Sequence, residues 1–222
     1  DAFVVFADAP LEATVEAAVQ ARCQNAGQSC IAAKRILVER PLFARFRDLL
    51  AQRLARLVVG PPTDPATQVG PLARRDLRDQ LAAQVAASVA LGARALVGGH
   101  VPPGPACHYP PTLLVDVPPD APAAREELFG PVAVLEPFDG EEQAVTLANA
   151  TPYGLGASLW TADLDRARRL VPRLEAGSVF VNGMVKSDPR LPFGGVKDSG
   201  LGRELGLEGL RAFTNVKTVW IG

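Results

Sequence analysis

The chain has 222 residues, 48% of them hydrophobic and 21% charged, enough for one sizeable core or one domain with a small appendage. Lys and Arg number 23 against 24 Asp and Glu, and no run of like charge is long enough to track a phosphate backbone or an anionic membrane. Nucleic acid and membrane are therefore not expected as partners, and no apolar run reaches the roughly 18 to 20 residues that span a bilayer. The composition reads as a soluble, cytoplasmic, globular protein. Cys23, Cys30 and Cys107 form no CxxC pair, and His100 and His108 are the only imidazoles. Neither a disulfide framework nor a metal site is expected.

Strand-like and helix-like segments alternate from end to end, the pattern of an α/β domain with a mostly parallel sheet flanked by helices. Residues 1–6 read as a buried strand with no initiator Met before it, so the chain is expected to be a fragment. Asp8 is placed to cap a helix with Pro10 in its first turn, whose apolar stripe is Leu11, Val15, Ala18, Val19 and the aliphatic stem of Arg22. That helix should fail near Gly27. Arg35 to Glu39 is the next strand, and Pro41 opens a helix carrying Leu42, Phe43, Phe46, Leu49, Leu50, Leu54 and Leu57 on one stripe. After a loop at 60–65 come a helix over 74–91, a strand over 93–97 and a Pro-rich surface loop over 101–111. Further strands are expected at 112–115, 132–138, 156–161 and 178–181, with helices at 141–150 and 163–175. The run Val216 to Trp220 alternates differently and reads as an edge or exchanged strand.

Cys30 stands behind a glycine turn, between a helical pattern and a strand pattern. A cysteine at such a reversal can receive backbone N–H groups that favour the thiolate and later an oxyanion. The run Asn25-Ala26-Gly27-Gln28-Ser29-Cys30 resembles the active-site segment of the aldehyde dehydrogenases. The likeness continues in Glu126-Glu127-Leu128-Phe129-Gly130-Pro131-Val132, in Gly177 to Gly183, and in Leu191-Pro192-Phe193-Gly194-Gly195 through Glu204. The glycines of the last segment fit neither GxGxxG nor GxxxxGK[ST], so they are read as close backbone packing rather than a phosphate cradle.

The resemblance implies a catalytic domain over 1–213 and an oligomerisation strand over 214–222, in a homodimer or homotetramer. The dinucleotide-binding domain, the general-base glutamate and a second oxyanion donor would lie upstream. It implies Cys30 as nucleophile, Glu127 on the nicotinamide ribose and Phe129 against the nicotinamide of NAD or NADP. A carboxylate suits two ribose hydroxyl donors, and an aromatic ring suits a flat one. Asn182 and Phe193 would lie near the thiol. Lys186-Ser187-Asp188 and the ending Asn215 to Trp220 look most like a succinate-semialdehyde dehydrogenase branch. Gln24 stands where that activity usually carries an arginine for the distal carboxylate, which leaves Ser187 and Lys186 as further substrate contacts. The implied reaction passes through a thiohemiacetal and a thioester on Cys30. An acylating aldehyde or acyl-phosphate reductase, and an assembling fragment without turnover of its own, are the alternatives.

Overall fold

The computed structural model describes residues 1–104 and 106–222, so one member of the expected 101–111 loop, Pro105, lies outside the described residues. In chain order it runs β1 (Ala2–Val5), α1 (Leu11–Cys23), β2 (Arg35–Glu39), α2 (Arg40–Ala55), α3 (Arg75–Ala90), β3 (Arg94–Val97) and β4 (Thr112–Val115). It continues with α4 (Pro122–Arg125), β5 (Val132–Phe138), α5 (Gly140–Asn149), β6 (Tyr153–Gly154) and β7 (Gly156–Trp160). The last elements are α6 (Leu164–Leu170), β8 (Ser178–Val181), β9 (Val196–Lys197) and α7 (Gly206–Ala212).

Seven strands make one sheet in the order β3-β4-β5-β2-β1-β7-β8. All its pairings are parallel except β3 with β4. Strand β1 lies in the interior of the sheet and is buried on both faces, which explains its unbroken apolar sequence. Phe3 and Val5 join a core built with Val15 and Ala18 of α1, Phe46 and Leu50 of α2, and Val85 of α3. Ala2, Val4 and Phe6 point the other way, toward Ala144 of α5 and Ala167 and Leu170 of α6. The period of two along one strand thus serves two cores at once.

Helix α2 has Pro41 in its first turn and buries Leu42, Phe46, Leu50 and Leu54, an i, i+4 row facing the sheet. Residues 106–109 of the expected loop are tied down. Leu72 N–H donates to the Cys107 carbonyl, Arg78 Nη1 to that of Ala106, and the Tyr109 ring is buried.

Two expectations differ from what is found, at the start of α1 and at the end of α6. Helix α1 begins with Pro10 and has no side-chain cap, because the Asp8 carboxylate instead accepts from Thr161 Oγ1 at 2.9 Å, Asp163 N–H at 3.1 Å and Arg166 Nη1 at 2.9 Å. The helix expected over 163–175 stops at Leu170, where Pro172 enforces a 3-10 turn, Val171–Arg173. Residues 214–222 form no strand within this chain and are exposed throughout. The small ladder of β6 with β9 and the short helices α4 and α7 carried no periodic signal long enough to read.

Leu50 is fully buried between α2 and the sheet. Leu50→Ala should lower the unfolding free energy by about 2 to 5 kcal/mol in urea melts. A loss under about 1 kcal/mol would mean that this face of the sheet is not packed as described.

Candidate active site

Two segments far apart in sequence meet because they enter neighbouring strands from the same end. The turn carrying Cys30 leads into β2, and the loop carrying Glu127 and Phe129 leads into β5, the strand beside it. Asp1 leads into β1 and residues 151–155 into β7. The amino ends of four adjacent parallel strands therefore surround one cavity of about 350 Å³, lined among others by Cys30, Lys34, Glu127, Phe129, Tyr153 and Gly156. Open α/β sheets more often hold ligands at the carboxyl ends of their strands.

The polypeptide leaves α1 through a 3-10 turn, Gln24–Gly27, in which Asn25, Ala26 and Gly27 all have positive φ, at 50°, 53° and 74°. Left-handed backbone is natural to glycine, tolerated by asparagine and costly to alanine. Here the neighbours hold it. Asn25 Nδ2 donates to the Gln28 carbonyl at 2.8 Å, and Gln28 Oε1 accepts from Ala73 N–H at 2.9 Å. Ala32 N–H then closes a turn on the Ser29 carbonyl at 3.0 Å, leaving Cys30 at its exposed corner. Among the described residues the Cys30 N–H has no hydrogen-bond partner. By contrast Cys23 ends α1 in the core, where burial pushes its thiol up to about 12 and keeps it protonated. Cys107 is half-buried in its loop.

Gly27 lies against Gly130 so closely that a Cβ on Gly27 would overlap the Gly130 carbonyl group. The nucleophile turn and the Glu127 loop thus touch backbone to backbone. Among the described residues the Glu127 carboxylate has no hydrogen-bond or ion-pair partner, and Phe129 is 41% exposed. An open carboxylate beside a bare aromatic face fits the ribose and nicotinamide half of a dinucleotide. Two cations lie behind them. Lys34 Nζ donates to the carbonyls of Ala123 at 3.0 Å and Glu126 at 2.7 Å, and Arg22 Nη2 donates to Gly27 at 2.7 Å and, more weakly, to Leu128 at 3.5 Å. Burial lowers Lys34 to about 8 and Arg22 to about 10, against the pull of the Glu127 charge.

The structure brings together Cys30, Glu127 and Phe129 but not the remaining expected residues. Gln24 turns its Nε2 inward, buried and without a partner. Asn182 stands at the carboxyl end of β8, the opposite rim of the sheet, where its amide bridges the N–H and the carbonyl of Thr161 at 3.0 Å each. From there the chain doubles back, and Val185 packs on Gly156 of the cavity wall. Lys186 and Ser187 follow it, exposed beside the cavity without lining it. Next to them Asp188 is paired with Arg190 at 2.6 Å. Phe193 is half-buried and exchanges backbone hydrogen bonds with Glu204 at 2.8 and 2.7 Å, closing the glycine-rich loop. A Cβ on Gly177 would overlap Gly194, so these glycines do serve close packing. Sequence reading missed Lys34 and the buried head of Arg22. The available signal was a basic residue on each apolar flank of the turn.

Among the described residues no group of three or more His, Cys, Asp or Glu is placed to hold a metal ion, and no helix is long and apolar enough to cross a membrane. Residues 1–219 match the aldehyde dehydrogenase family. The chain belongs to that family. It is 50% identical over 221 residues to a probable succinate-semialdehyde dehydrogenase [NADP(+)] of Synechocystis, covering all of this chain and 49% of that protein. With the succinate-semialdehyde dehydrogenase [NADP(+)] of Mycobacterium avium it shares 49% over 222 residues, covering all of this chain and 47% of that enzyme. Among solved structures, Gox0499, studied for cofactor and substrate selection, superposes with a TM-score of 0.96 at 40% identity, over 100% of this chain and 49% of that one. Betaine aldehyde dehydrogenase of Staphylococcus aureus in complex with NAD+ gives 0.93 at 32%, over 96% and 43%. The chain spans about half the length of these relatives.

Gly27 combines a φ of 74° with the Gly130 contact. Gly27→Ala should cost at least about 1 to 2 kcal/mol of stability from the left-handed backbone alone, measured by denaturant melts. An alanine variant as stable as the parent would show that the two loops are not in backbone contact.

Proposed function

We propose that this chain is the nucleophile-bearing domain of a cytoplasmic NAD(P)-dependent aldehyde dehydrogenase that oxidises succinate semialdehyde. The observation that carries the reading is the exposed Cys30 thiol in one cavity with the unengaged Glu127 carboxylate and the Phe129 ring. The substrate is supported by the names of the two relatives, which also favour NADP+ over NAD+.

Cys30 acts as a thiolate that adds to the aldehyde carbonyl carbon, giving a tetrahedral thiohemiacetal. The free N–H of Cys30 is available to the oxygen as it becomes negative, a contact that exists only once charge develops there. Collapse of the adduct restores the carbonyl and releases a hydride, leaving a thioester on Cys30. NAD(P)+, when bound, supplies the acceptor for that hydride. Glu127 and Phe129 hold the ribose and nicotinamide in register with the thiol. Water then hydrolyses the thioester to the carboxylic acid and returns the thiol. On the substrate side the proposed contacts for the distal carboxylate are Lys186 and Ser187, exposed just after Val185 on the cavity wall.

Residues 214–222 we assign as an arm that pairs with another subunit of a homodimer or homotetramer. Val216, Trp220 and Ile221 are each at least 86% exposed, and β8 leaves one edge of the sheet unpaired. Ending the chain after Phe213 should lower the mass measured by light scattering. An unchanged oligomer would remove the arm from assembly.

Limiting iodoacetamide should label Cys30 before Cys23 or Cys107 when adducts on the folded protein are mapped. Purified material of these 222 residues alone should show that labelling without sustained aldehyde-dependent NADPH production. One donor for the oxyanion and two nicotinamide contacts are too few, since losing a single oxyanion donor costs about 10² to 10³ in rate. Preferred labelling of Cys23 or Cys107 would sink the nucleophile assignment, and robust turnover would place a base and a dinucleotide site within this chain.

A further inference from the structure

We propose that Arg22 and Lys34 act as a two-cation clamp that positions Glu127, each reaching from one flank of the nucleophile turn to a carbonyl on either side of that residue. Lys34 holds the carbonyl of Glu126 and Arg22 reaches that of Leu128, so the residues before and after Glu127 are tied to the two ends of the Cys30 segment. Arg22 also holds Gly27 at 2.7 Å, and Lys34 the Ala123 carbonyl at 3.0 Å. The inference rests on the reading that Glu127 meets the nicotinamide ribose.

Stability alone is a poor account of this arrangement. Both side chains are buried, at 1% and 6% exposure, and Arg22 Nε and Nη1 have no hydrogen-bond partner. Burying two cations is costly, and apolar replacements of similar size are often neutral for folding. A lysine capping the last carbonyls of the short helix α4 would need no second cation on the far side of Glu127. What the pair provides is geometry. The thiol and the carboxylate come from separate loops, and only groups anchored in both can fix their spacing.

The Lys34 ammonium also makes the clamp sensitive to pH. It is faced by Glu126 and Glu127 from the loop, by Arg35 next to it in the chain and by Arg22 from α1. Loss of hydration on burial is the largest influence and lowers the group to about 8, so it is charged below that pH and neutral above it. A neutral amine donates more weakly to the same carbonyls.

The test compares Lys34→Met with Lys34→Arg and Glu127→Gln in the intact enzyme. Hydrogen exchange without dinucleotide should show the amides of Glu126 and Gly130 exchanging about tenfold faster in Lys34→Met, with the melting temperature nearly kept and protection regained in Lys34→Arg. In turnover, KM for NADP+ should rise about tenfold in Lys34→Met, with the larger part of the loss in KM rather than kcat. KM of the parent should climb above pH about 8, and that climb should vanish in Lys34→Met. Unchanged exchange at 126–130, or an alkaline rise that survives the substitution, overturns the clamp. An unchanged KM in Glu127→Gln overturns the ribose reading instead, and the exchange measurement still decides whether Lys34 holds the loop.

Discussion

The contact between Gly27 and Gly130 is the constraint on which the site depends. Gly27 could not come this close if it carried a side chain, since its Cβ would overlap the Gly130 carbonyl group, and a Cβ on Gly130 would crowd the Leu81 side chain of α3. With both bare, the turn that displays Cys30 and the loop that displays Glu127 and Phe129 behave as one body. Everything else at the cavity is arranged around that junction. The left-handed run at Asn25 and Ala26 delivers Gly27 to it, and the cations behind it secure its two sides.

The junction in turn depends on strand order. Because β5 lies next to β2, loops separated by almost half the chain arrive side by side at the amino ends of their strands. The parallel pairing of β2 with β5 sets the depth at which they meet, with Arg35 opposite Val134. A register shift of one residue would turn every side chain of one strand to the other face and separate the loops along the strand axis. The cores on the two sheet faces resist such a shift, since Ile36 and Val38 are buried on one side and Leu37 on the other.

Local signals carried far in this chain where no distant group competed for the residue. Strand β2 occupies Arg35–Glu39 as read from sequence, because charged residues bracket an apolar run that has one good conformation. The exposed turn at Cys30 was legible because Asn25 and Gly27 suit its left-handed backbone, although the contact of Gly27 with Gly130 was not. Asp8 shows the opposite case. It had the chemistry of a helix cap, but Thr161 and Arg166 offer its carboxylate stronger partners that only the tertiary fold brings near. Arg22 was visible on the apolar stripe of α1, yet where its guanidinium ends depends on a loop more than a hundred residues away. Asn182 was expected near the thiol from the family resemblance, whereas its amide is held on Thr161 at the carboxyl end of β8, a placement that depends on the tertiary fold. The alternation at the C-terminal end was real, but no strand of this chain pairs with it.

At the carboxyl rim of the sheet, Asp8, Thr161, Arg166, Glu141 and Asn182 form a connected polar network. The amino rim holds the cavity. Fold maintenance and chemistry are thus housed at opposite ends of the same strands, with two apolar cores between them. Substitutions that tighten the network lie too far from the thiol to share partners with it, so their effects should add rather than interfere. A protein built this way can be made more robust on one rim while its reactivity is retuned on the other, which loosens the usual exchange of stability for activity.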